Sequence, residues 1–419
     1  GLPAVADPNW LMAWLLRPSR VRPGTAMVEE VQAAASFLYA DRLPAAAASP
    51  WQGGDPEQGK QLFVSRGCRG CHAIQTDERS VTARVPNLAG VGLKVGGDWL
   101  FAWLKAPRTY SPRTAMPLLT ITDEEIRHLV AFLLSRRDGA EVLAAAPRFN
   151  PRADRAAGKA AIERIGCAKC HEIEGLPVPS PAVVLAPDSP ANSTDATLRN
   201  GRALVENYNC RACHKIEGRG GEIAAFLDRK TFAPPILDRE GARVQTSWMI
   251  NFLKKPTSLR PWLQLRMPDF GVSEGDARTL AKYFAALAGV PARDEPMPAP
   301  LPQLSERGLR RFAQFKCVQC HPVSPDGKLP EGAIIDDLSI NLMLAKTRLR
   351  PSWIPEFLAR PKAIAGMQTR MPSTFFTSEG TPNVDNPEQD IAAITAYLLV
   401  MTEPPQAALA HLEKESKPA

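Results

Sequence analysis

The chain has 419 residues, of which 44% are hydrophobic and 23% charged, with a formal net charge of +7. That length suits about three or four domains with cores of their own and argues against a disordered chain. Basic residues are scattered, without a helix-turn-helix or an aromatic RNA-binding pattern, so nucleic-acid binding is not expected, and no apolar run approaches the roughly 18 residues that would cross a bilayer.

In chain order, residues 1–45 open with "WLMAWLLRPSRVRPGTAM", where Pro18 follows Trp10 by eight residues and Met27 by seventeen. Proline lacks an N–H and clashes with the preceding turn, so this spacing predicts a helix from Trp10, a stop near Pro18 and an extended loop to Met27. "VEEVQAAASFLYA" then predicts a second helix.

Residues 51–139 begin with a helical pattern, "GKQLFVSRGC", that ends at Cys68, Cys71 and His72. A tryptophan helix from Trp99 follows, stopped by Pro107, with Met116-Pro117 after it. In "TDEEIRHLVAFLLS", Thr122 and Glu125 have capping-box spacing, and Ile126, Leu129, Val130 and Leu133 form an apolar stripe. Residues 150–190 hold Cys167, Cys170 and His171 but no tryptophan or methionine after them. Residues 196–292 repeat the whole pattern with Cys210, Cys213, His214, Trp248, Pro256, Met267 and the stripe Leu280, Tyr283, Phe284, Leu287. Residues 301–403 repeat it again with Cys317, Cys320, His321, Trp353, Pro361, Met371 and "DIAAITAYLLV", and 404–419 read as a charged tail. Proline-rich stretches at 44–54, 146–155, 177–195 and 291–305 read as extended spacers or as loops lying on the surface.

Four Cys-x-x-Cys-His motifs consume all eight cysteines and four of the six histidines. Structural zinc would need a fourth ligand for each cluster, and no second thiolate pair stands at a fixed spacing. A thioredoxin-like dithiol would close a βαβ unit, and none is visible around the motifs. Covalent haem c uses this pattern directly: two thiols take up the vinyl groups and the adjacent histidine binds iron. A glycine stands nine residues before the first cysteine in every copy, at Gly59, Gly158, Gly201 and Gly308. Met116, Met267 and Met371 are candidate sixth ligands, since a thioether suits haem iron; the competing reading is methionine packed in a core, and Met367 lies close enough to compete with Met371. Four haems would add about eight propionate charges, bringing the total to roughly −1 when ferrous and +3 when ferric.

The order of glycine, Cys-x-x-Cys-His, tryptophan helix, Met-Pro and closing amphipathic helix resembles class I c-type cytochromes, and the chain is similar to a tandem multihaem member over most of 51–403. The resemblance implies an all-α fold of tandem cytochrome-like domains and four covalent haem c groups. It also implies that a carbonyl of the proline loop "VPNLAGVG" receives the His72 Nδ1–H, with Pro234 or Pro235 serving His214; the fourth module has no proline between Pro330 and Pro351 for this contact. In function it implies an extracytoplasmic, peripherally associated electron-transfer subunit. Its expected partners are other subunits of a membrane quinol-oxidising or dehydrogenase complex and a redox protein acceptor or donor. No Walker loop, dinucleotide fingerprint or Ser/His/Asp arrangement points to a catalytic activity of its own.

Two segments are halves. Residues 1–45 carry the tryptophan and methionine side of a module without a haem motif, and 150–190 carry the motif without the methionine side. They are expected to complement each other, with Met27 as sixth ligand to the iron held by His171 and with module 51–139 inserted between them. The alternatives are that 1–45 packs on module 51–139 or on another subunit, or that it belongs to a further module now incomplete. His128 and His411 are competing ligands for this second haem. If its sixth position is open, the second haem becomes a five-coordinate centre able to reduce a small molecule.

Overall fold

The computed structural model describes residues 7–16, 32–38, 50–80, 85–111, 114–145, 155–165, 173, 193–229, 232–324, 329, 332–366 and 369–415. The chain divides into two compact units, 1–191 and 192–419. Both are helical, and among the described residues the only sheet is a two-stranded hairpin pairing Lys215–Ile216 with Arg219–Gly220. No helix among the described residues is long and apolar enough to cross a membrane.

In the first unit the main helices are α1 (Pro8–Leu16), α2 (Gln32–Leu38), α3 (Pro56–Ser65), α4 (Gly97–Lys105), α5 (Asp123–Ser135) and α6 (Arg155–Ile165). In the second they are α7 (Ser193–Asn207), α8 (Thr246–Lys254), α9 (Glu274–Leu287), α10 (Pro302–Gln314), α11 (Trp353–Ala359) and α12 (Pro387–Val400). One rule organises the modules: the helix before each cysteine motif packs on the closing helix, α3 on α5, α7 on α9 and α10 on α12, and the tryptophan helix leans on the same closing helix.

The predicted ends are realised by specific caps. Thr122 and Glu125 form the full capping box of α5, and Ser273 Oγ accepts from Asp276 N at the start of α9. The stripe Ile126, Leu129, Val130 and Leu133 is buried against Phe63, Leu100, Phe101 and Leu104. The repeated glycine marks the helix crossing. A Cβ on Gly59 would lie 1.9 Å from His128 O, one on Gly201 2.2 Å from Tyr283 Cβ, and one on Gly308 1.9 Å from Ala393 O. Only a bare Cα lets the two backbones approach that closely.

Three elements differ from expectation. The closing helix of the last module starts earlier than its apolar stripe, because Pro387 occupies the first turn, where a missing N–H costs nothing. The charged tail is instead a helix over Pro405–Glu415, with Ala408, Leu409 and Leu412 against the core of its unit. Linker 291–305 lies on the surface but is not a free spacer. Its Glu295 exchanges two hydrogen bonds with the Gln245 side chain and accepts two from Ser352, so it is clamped where modules 196–292 and 301–403 meet.

Candidate haem sites

In each described module the first helix ends on a residue of left-handed backbone directly before the first cysteine: Gly67 (φ 86°), Asn209 (φ 53°) and Lys316 (φ 55°). Glycine and asparagine accept this conformation readily, whereas lysine does so at a cost of about 1 kcal/mol. The reversal places both cysteines and the histidine on one turn, closed by the histidine N–H to the first cysteine carbonyl at 2.9 Å (His72 to Cys68), 2.9 Å (His214 to Cys210) and 3.0 Å (His321 to Cys317).

Each imidazole is then fixed by a backbone carbonyl. His72 Nδ1 lies 2.8 Å from Pro86 O, His214 Nδ1 2.8 Å from Pro235 O, and His321 Nδ1 2.9 Å from Ile340 O. A carbonyl can only accept, so Nδ1 carries the proton and Nε2 presents a lone pair. Burial pushes all three histidines below their ordinary pKa, which keeps them neutral, the form that binds a metal. The Ile340 contact supplies what the proline-free fourth module had seemed to lack. The acceptor is backbone, and any residue can provide it.

The chemistry of the donor set bears on the three readings of the motif. Among the described residues no group of three or more His, Cys, Asp or Glu side chains is placed to hold a metal ion by itself. Burial, reinforced by Cys71, pushes the Cys68 thiol up to about 12, and burial raises Cys317 to about 11. Neither of these two thiols is activated as the attacking thiol of a dithiol exchange would be. Two thiols outside any disulfide, half-buried except for the exposed Cys320, beside an oriented imidazole do fit covalent haem c.

The attachment turn is braced by neighbouring charges. Arg69, directly after Cys68, pairs with Glu78, and Arg211, directly after Cys210, pairs with Glu217 at 2.9 Å. Two residues before the first cysteine, Arg66 pairs with Glu125 of α5, and Tyr208 donates to Asp276 of α9 at 2.7 Å. In the last module the same position is Phe315, which packs edge-on against Phe375. There the tie between the first and closing helices is made by Arg307 and Arg311, both on buried Asp390.

Met116, Met267 and Met371 are half-buried at the end of the loop that follows each tryptophan helix. Met116 Sδ accepts from Trp103 Nε1 at 2.9 Å, and Thr114 and Thr369 brace the turns into Met116 and Met371 through their hydroxyls. Cys167, Cys170, His171, Met27 and Met367 lie outside the described residues. The two spare histidines are engaged locally: His128 Nδ1 accepts from Asp55 N at 2.8 Å, and His411 Nδ1 lies 3.2 Å from Glu403.

Residues 56–137 match the family model of cytochrome c, and residues 196–284 match that of the cbb3-type cytochrome c oxidase, subunit III. These two stretches are similar to c-type cytochrome domains and support a c-type cytochrome. Neither the curated proteins nor the solved structures give a match. Cytochrome c domains imply covalently bound haem c and electron transfer, and such domains are typically extracytoplasmic.

Proposed function

We propose that this cytochrome carries four haem c groups and relays single electrons between a membrane oxidoreductase complex, quinol-oxidising or dehydrogenase, and a downstream redox protein. The haems attach at Cys68/Cys71, Cys167/Cys170, Cys210/Cys213 and Cys317/Cys320. His72, His171, His214 and His321 are the proximal ligands, and Met116, Met27, Met267 and Met371 the sixth. When bound, haem c supplies one-electron ferric/ferrous chemistry. The chain's own groups do the rest. The carbonyls of Pro86, Pro235 and Ile340 hold the proton on Nδ1 and aim Nε2, which also raises ligand basicity. The apolar clusters around Phe63, Leu100 and Leu129 in one module and Tyr283, Phe284 and Leu280 in another exclude water, which with methionine ligation favours a high potential.

One observation carries this reading: three imidazoles, each beside its cysteine pair, are locked by backbone carbonyls in the same orientation. With a histidine and a methionine both holding the iron, each haem would have no place for a small-molecule substrate and would serve electron transfer. The likeness of 196–284 to a terminal-oxidase subunit supports a place in a membrane electron-transfer chain outside the cytoplasm.

The test is stoichiometric. The mass of the denatured protein is expected to show four covalent haems, and the reduced protein to pass four electrons per chain to a soluble one-electron acceptor protein while binding no carbon monoxide. Fewer than four haems, or carbon monoxide binding to one of them, would overturn the relay as stated.

A further inference from the structure

Within the second unit, modules 196–292 and 301–403 join by a reciprocal backbone contact. Gln245 N donates to Arg348 O at 2.9 Å, and Arg350 N donates to Arg243 O at 3.0 Å. Counted from the tryptophan of each module, the donor stands three residues before it and the acceptor five before it, in both directions. Arg348, five before Trp353, also lays its guanidinium over the Trp248 ring of the other module at 5.0 Å.

The first unit shows one arm of this junction between module 51–139 and the N-terminal segment. Asp7, three residues before Trp10, donates its N–H to the carbonyl of Lys94, five before Trp99, at 2.6 Å. Lys94 Nζ lies over the Trp10 ring at 4.9 Å. The ring stack is shared as well. Trp10–Trp14 (5.9 Å), Trp99–Trp103 (5.2 Å), Trp248–Phe252 (4.7 Å) and Trp353–Phe357 (4.5 Å) all pair the tryptophan with the aromatic four residues on. Asp7 and α1 therefore meet module 51–139 as one cytochrome module meets another.

The missing first helix is present too. α6, directly before the Cys167 motif, packs on α2 as α3 packs on α5, with Ile162 and Ala34 fully buried between them and Phe37, Leu38 and Ile173 around them. Gly158, the repeated glycine of this copy, is buried.

We propose that 1–45 and 150–190 fold together as one cytochrome module, interrupted in sequence by module 51–139. This composite pairs with 51–139 through the same junction that joins 196–292 to 301–403, so the chain is two copies of a paired-module unit. The inference deepens the tetrahaem reading and rests on it for the haem at Cys167 and Cys170. It gives that haem a tryptophan helix and a closing helix from the far side of an inserted domain, and in sequence Met27 stands seventeen residues after Trp10 as Met116 does after Trp99.

The experiment uses the full holoprotein and two readouts. In the parent, hydrogen exchange should show α2 and α6 amides protected to a similar degree as α3 and α5. In Ala34→Asp, a charge placed opposite Ile162 should slow-to-fast convert α2 and α6 together and shift the optical and EPR signal of one haem in four, leaving the other three unchanged. Unprotected α2 amides in the parent would overturn the composite module, as would an Ala34→Asp protein in which α6 and all four haem signals stay as in the parent. If Ala34→Asp fails to mature, the parent's exchange pattern still decides. Haem count by mass reads the tetrahaem assignment separately, so a missing haem and a missing helix pairing are distinguishable.

Discussion

Glu217 shows how a single side chain holds a haem-attachment turn in place. Its carboxylate accepts three bonds from Arg202 at 2.6, 2.9 and 3.1 Å and a fourth from Arg211 at 2.9 Å, while its N–H donates to Asp238. The Arg202 bonds, with Arg211 beside them, hold its pKa below the ordinary carboxylate value. A lowered folded-state pKa contributes stability above the unfolded pKa of about 4.5, and that contribution is lost as pH falls through the folded value. Glu217→Gln is therefore expected to cost about 1–2 kcal/mol at pH 7, reduced from a fully buried pair by partial exposure, with the gap to the parent narrowing below pH 4.5. Denaturant unfolding at pH 7 and pH 3.5 checks it; a gap that does not narrow would contradict the ion-pair account. The tight turn at each of the three described Cys-x-x-Cys-His motifs was legible in the sequence because the motif fixes residue types at a fixed spacing. The Ile340 carbonyl that orients His321 was not, since a backbone acceptor leaves no mark on residue identity.

At the scale of helices, the sequence showed a glycine nine residues before each motif but gave no reason for it. The reason is the crossing: a Cβ at Gly308 would sit 1.9 Å from Ala393 O, a backbone atom that moves only if α12 moves. Gly308→Ala is expected to destabilise the last module by about 1–3 kcal/mol, although alanine favours an isolated helix by about 1 kcal/mol. Denaturant unfolding followed by helix circular dichroism tests the sign, and a stabilised variant would show that the helices are not in contact there. The periodic helices α5 and α9 were legible because their stripes and caps are local. The helix over Pro405–Glu415 was hidden by its charge, since its few apolar residues gain meaning only against the core they cover.

At the scale of the molecule, module pairing depends on Arg350. Its buried guanidinium donates to the carbonyls of Gly241, Val244, Pro291 and Arg293 and to Thr246 Oγ1, joining one module, the linker and the next. Truncation would leave several buried acceptors unpaired, so Arg350→Ala is expected to cost about 2–4 kcal/mol and to split the unfolding of 192–419 into two transitions in calorimetry. A single transition at the parent temperature would show that the modules do not depend on this junction. The repeated motifs mark out the modules in sequence, but the pairing of 196–292 with 301–403 rests on backbone bonds between residues about a hundred positions apart, which no local pattern records. The proposed function is a relay of four haems, each held by a histidine and a methionine. It is tested most directly by near-infrared magnetic circular dichroism of the fully oxidised protein, quantified per haem. The account predicts four low-spin His/Met centres per chain; a high-spin ferric centre among them would contradict it and mark that haem as a site for small molecules.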